Sequence, residues 1–135
     1  HVLAVLAAAL GRCCLAAPAV AHHAKVTEYD AKKKVKLTGV VTQVAWTNPH
    51  MRVYIDVTGP DGKVTNWNLE LTSPNRIRRQ GWGPNDLKTG DKVVFEGYGG
   101  KVVESRGSLL SISKQGSNIP LLTQSGREAA AATAP

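Results

Sequence analysis

Beyond residue 14 the chain has no cysteine, and its two thiols, Cys13 and Cys14, stand side by side near the start. This excludes a disulfide framework, a thiolate metal centre and a cysteine nucleophile from everything downstream. Aromatic residues make up 5% of the sequence, with a single phenylalanine, so a core has to be built mainly from aliphatic and β-branched side chains. No apolar run approaches the roughly 20 residues that a helix needs to cross a bilayer. There is also no glycine-rich phosphate loop, no serine elbow and no zinc-protease histidine pair. Carboxylates are few, and none is paired by spacing, so the chain is expected not to be an enzyme.

What is present starts with a leader. Val2–Leu10 is an apolar stretch closed by Gly11 and Arg12, and Ala19-Val20-Ala21 supplies the small residues that a signal peptidase requires. Residues 1–21 therefore read as a signal peptide. The opening His1, where a basic leader would begin on Met, predicts that the signal is truncated at its start. Arg12 before Cys13, and Cys13 before Cys14, do not form a lipidation site, so no integral membrane anchor is expected after cleavage. The mature protein is expected in the periplasm or secreted. Without Arg12 it carries 16 basic against 10 acidic side chains, a net charge of +6 with neutral histidines. Such a charge attracts anionic partners at long range without selecting among them. Export argues against intracellular nucleic acid as that partner.

The remaining 114 residues suit one domain. Thirteen glycines and seven prolines point to short elements separated by turns. Lys34–Thr47 alternates as a long first strand whose phase slips near Gly39, the signature of a bulge. Asn48-Pro49 ends it. Met51–Val57 and Val64–Leu71 form a hairpin around Gly59-Pro60-Asp61-Gly62, with Val53, Ile55, Leu69 and Leu71 on one face and Arg52, Tyr54, Asn68 and Glu70 on the other. Ser73-Pro74 reads as an N-cap with proline at the first helical position, and Asn75–Gln80 as a short helix stopped by Gly81. Lys92–Tyr98 is a fourth strand, and a fifth runs through Val102–Ser113. The domains expected are an arm over 22–33, a β-domain over 34–115 and a partly disordered tail over 116–135. Three strands, a helix and two more strands, with a bulged first strand, predict an all-β fold with one short helix: a five-stranded OB-like Greek-key barrel behind the signal peptide.

Within this order, Ala21-His22-His23, Leu37-Thr38-Gly39, Trp46, Asn48-Pro49-His50, Asn66-Trp67, Ser73-Pro74-Asn75, Gly81-Trp82, Leu87 with Gly90-Asp91, and Gly97-Tyr98 resemble the DUF6152 family of small exported bacterial proteins. Ala24 and Lys25 stand where that family usually has serine and an aromatic. The resemblance implies an exported OB-like fold and assigns no activity.

Chemistry concentrates in the histidines. Cleavage after Ala21 leaves His22, His23 and His50, and places the free α-amine on His22. An amine with an ordinary pKa near 8 and imidazoles near 6.5 supply neutral nitrogens close to neutral pH. Copper(II) prefers tetragonal nitrogen and oxygen donors, so His22, His23 and His50 are the candidate metal ligands and copper the candidate cofactor. Cleavage one residue earlier would put His23 third, which is also a copper- or nickel-binding arrangement. The competing reading makes His22 and His23 remnants of the cleavage site and His50 a cap on the Asn48-Pro49 turn. Met51, next to His50, belongs to the opposite strand face and reads as core. A second site follows from the outward phase: Arg52, Tyr54 and Asn68 form a candidate ligand-binding face for an anionic polymer, an oligosaccharide or a protein partner. The function expected is an exported periplasmic binding protein whose partner is a metal ion, with a non-catalytic interaction module as the alternative.

Overall fold

The computed structural model describes residues 28–117 and 120–123. Its elements are β1 (Tyr29–Ala45), β2 (Arg52–Thr58), β3 (Val64–Glu70), α1 (Pro74–Arg79), β4 (Lys92–Gly100), β5 (Arg106–Lys114) and the two-residue β6 (Leu122–Thr123). β1 is long enough to serve two neighbours: Tyr29 to Val40 pairs with β4, and Val40 to Ala45 with β2, both antiparallel. β2 continues to β3 and β4 to β5, and a short parallel pairing of Asn68–Glu70 with Arg106–Ser108 joins β3 to β5. Five strands thus close on themselves in the OB-like arrangement, with α1 between the third and fourth and no other helix as long among the described residues.

Several details differ from the sequence reading: β4 runs on through Gly99 and Gly100, and the fifth strand begins at Arg106 rather than Val102, with residues 101–105 turning between them. β1 begins at Tyr29, so residues 29–33 of the expected arm are strand, and their pairing begins with Tyr29 opposite Gly100. Charged Lys32, Lys33 and Lys34 mask this start, because an outward or edge position accepts lysine without cost. The register slip lies between Val41 and Gln43 rather than at Gly39. Gly39 has another reason to be glycine: a Cβ there would stand 2.5 Å from the Asp56 carbonyl oxygen, where β1 passes from one neighbour to the other. Finally, Leu122–Thr123, in the expected tail, pairs with Ser111 and Ile112.

Alternation decides the core. Val53 and Ile55 of β2, Leu69 of β3, Val93 and Phe95 of β4 and Ile112 of β5 are fully buried, as is Met51 just before β2. Phe95, the one phenylalanine, lies close to two glycines: a Cβ on Gly97 would lie 2.6 Å from its ring, and one on Gly107 2.9 Å. The helix packs against this core through Ile77. Ser73 Oγ accepts from the Arg76 amide at 3.3 Å, Pro74 occupies the first turn, Gly81 follows with φ 84°, and Ile77 is inserted into the core. No helix among the described residues is long and apolar enough to cross a membrane.

Candidate functional site

Met51 extends the β2–β3 ladder by one step, exchanging backbone bonds with Leu71 and Thr72. With Met51 turned inward, His50 and Arg52 project from the outer face, the face that carries Glu70 opposite Arg52. On this face, where solvent would be expected, Glu70 is only 4% exposed. It is covered because Tyr29, at the root of β1, lies over it. The Tyr29 hydroxyl donates to Glu70 Oε2 at 2.7 Å, and His50 Nδ1 stands 2.8 Å from Oε1. Arg52 Nη2 is 3.6 Å from Oε2, and its Nη1 donates to Asn68 Oδ1 at 3.1 Å. A buried carboxylate is costly unless it is paired and hydrogen-bonded, and here several donors converge on one.

These contacts hold the Tyr29 proton in place. Burial raises the Tyr29 pKa well above the ordinary phenol range, the Glu70 hydrogen bond and charge add to that, and Arg52 opposes it only partly. Tyr29 is therefore a standing neutral donor. The His50 side chain is 31% exposed, with Nδ1 on the side of Glu70. The turn before it is tied locally: Thr47 Oγ1 donates to the His50 carbonyl at 2.8 Å, and the Asn48–Pro49 bond is cis. The capping role weighed from sequence is thus carried by the His50 backbone, while its ring points to Glu70.

The same cluster fixes where the chain enters the domain. The Lys101 amide donates to the Glu28 carbonyl at 3.0 Å, the Glu28 carboxylate pairs with Arg106, and Tyr29 is bound to Glu70. His22 and His23 lie outside the described residues. Among the described residues no three His, Cys, Asp or Glu gather as a metal site, so an ion at His50 requires donors from elsewhere.

The second predicted set is brought together. Tyr54 is directly across from Asn68, and Arg52 bonds Asn68. Beside them, Asn66 Nδ2 donates to Asp56 Oδ1 at 2.8 Å and to Thr42 Oγ1 at 3.1 Å, while Thr42 Oγ1 donates to the Tyr54 carbonyl. Arg52 is not a free cation, since Glu70 and Asn68 engage it. Trp46 is elsewhere, 6.2 Å from Trp82 between ring centres, with the Arg78 guanidinium 5.4 Å over its ring. Two open grooves among the described residues also lie apart, across β1, β4 and β5 around the Lys36–Glu96 ion pair. Sequence reasoning missed Glu70 and Tyr29. Glu70 sat on the polar phase and looked solvated; its hydrogen-bond partner Tyr29 lies 41 positions earlier.

A closed five-stranded ring with a helix between its third and fourth strands makes this an OB-like β-protein. The chain belongs to DUF6152, a family of unknown function, whose sequence profile matches residues 11–109. No curated protein sequence matches it significantly. Among solved structures it is similar to the mitochondrial single-stranded DNA binding protein Rim1 of S. cerevisiae, at 13% identity and a TM-score of 0.46 over 62% of this chain and 94% of that one. It is also similar to the ZRD-deleted mutant of TiaS in complex with agmatine, at 18% identity and a TM-score of 0.42 over 72% of this chain and 30% of that one. These distant likenesses carry no ligand over to this protein.

Proposed function

We propose that this protein is an exported, non-catalytic binding module that holds copper, or another late transition metal, through His50 together with His22 and His23. One observation carries the reading: Tyr29, the root of the arm bearing His22 and His23, and His50 share the two oxygens of a single buried carboxylate, Glu70. The arm therefore departs beside the imidazole it would have to join. His23 is six positions before Tyr29, and at about 3.3 Å per residue that span reaches up to about 20 Å, ample for a common ion. Cleavage after Ala21 would add the α-amine of His22, completing a nitrogen set suited to copper(II). Sequestration or delivery of the ion is the role such a site serves.

The test is a copper titration of the signal-cleaved protein, with its N-terminus verified by mass, against His50→Ala and against a form with one extra residue before His22. The expected result is one-to-one binding weakened at least tenfold in both. Affinity indifferent to His50 would sink the reading.

A second reading rests on a different observation, the pre-bonded polar face of Thr42, Arg52, Asp56, Asn66 and Asn68 around Tyr54. Because its one arginine is already engaged, this face suits an uncharged oligosaccharide better than an anionic polymer or a charged protein surface. Glycan-array binding that survives His50→Ala and is lost in Tyr54→Ala is its expected signature; a blank array removes it.

A further inference from the structure

The donors around Glu70 are unequally placed. The Tyr29 hydroxyl and Arg52 Nη2 both face Oε2, at 2.7 and 3.6 Å, whereas His50 Nδ1 faces Oε1 at 2.8 Å. An ionised carboxylate only accepts, so a neutral His50 ring satisfies that 2.8 Å contact with its proton on Nδ1 and its lone pair on Nε2. We infer that Glu70 is a positioning residue: it holds His50 in the Nδ1–H tautomer and so keeps Nε2 ready to coordinate an ion. Ligating histidines commonly donate their second ring N–H to a carboxylate, which fixes the tautomer and aims the ring. Glu70 is itself aimed from two strands, by Tyr29 of β1 and by Arg52 of β2, whose other guanidinium nitrogen is held by Asn68. The coordinating role of Nε2 rests on the metal reading above, while the tautomer is a property of the metal-free protein.

Glu70→Gln separates these parts. Glutamine keeps the shape but has one accepting oxygen and one donating NH2. Tyr29 and Arg52 both draw the oxygen to the Oε2 side, which leaves the NH2 against His50. Two donors cannot face each other, so Nδ1 becomes the acceptor and the proton moves to Nε2.

The experiment is a two-bond nitrogen–proton correlation spectrum of metal-free, 15N-histidine-labelled protein at mildly alkaline pH, followed by copper titration of the same samples. Wild type is expected to show His50 as Nδ1–H and E70Q as Nε2–H. Copper affinity is expected to fall about 10–100-fold in E70Q. A wild-type His50 protonated on Nε2 overturns the inference, and this result needs no variant to fold. An unchanged tautomer in a folded E70Q overturns it as well, and wild-type copper affinity in a tautomer-switched E70Q overturns the coordinating role of Nε2. Wild type that shows Nδ1–H yet binds no copper refutes the metal reading and upholds the hold of Glu70 on the ring.

Discussion

Tyr29 has two roles that a sequence reader would assign to different residues: it hydrogen-bonds the buried Glu70 and it begins β1. Burial beside a carboxylate raises its pKa above that of an unfolded tyrosine. As pH climbs past about 10, the ordinary phenol value, the unfolded chain releases this proton before the folded one does. The stability from the buried phenol is thus complete below about pH 10 and is lost progressively above it. In an ultraviolet titration, one of the three tyrosines is expected to ionise late, and that component should vanish in Tyr29→Phe. The same variant should lose about 1.5–3 kcal/mol near neutral pH, the usual worth of a hydrogen bond to a charged group. A Y29F titration curve identical in shape to wild type, scaled by one phenol fewer, would refute this account.

At the scale of elements, β1 organises the domain by changing neighbours at Val40, the parallel β3–β5 pairing closes the ring, and β4 pairs antiparallel with β5. Gly97 lies at the register shift of that pair, and a Cβ there would meet the Ser108 carbonyl oxygen at 2.1 Å. Backbone cannot move aside as a flexible side chain can. Gly97→Ala is expected to lower stability by about 1–3 kcal/mol or more, read as a reduced denaturant midpoint with little change in slope. An unaltered midpoint would mean that β4 and β5 tolerate separation there. The strands and the helix were legible because period-two alternation and turn residues are local signals, as Val53–Ile55 and Ser73-Pro74 illustrate. The bulge position was not, since glycine at 39 answers a close approach to Asp56 that local sequence does not encode.

For the molecule as a whole, the order of elements in the sequence was enough to determine an OB-like β-fold, because hydrophobic alternation, proline and glycine act over a few residues and add up along the chain. His50, Arg52, Tyr54 and Asn68 could be named from the same alternation, since being on the outer phase is a local property. Their company could not. The parallel pairing of Asn68–Glu70 with Arg106–Ser108, the pairing of Glu28 with Arg106 and the fold of Tyr29 over Glu70 join residues that are far apart in sequence. Closure of the ring pairs Glu70 with Ser108 of β5 and leaves its carboxylate buried beside Tyr29 and His50. Burial is a property of the assembled surface, and no single strand contains it.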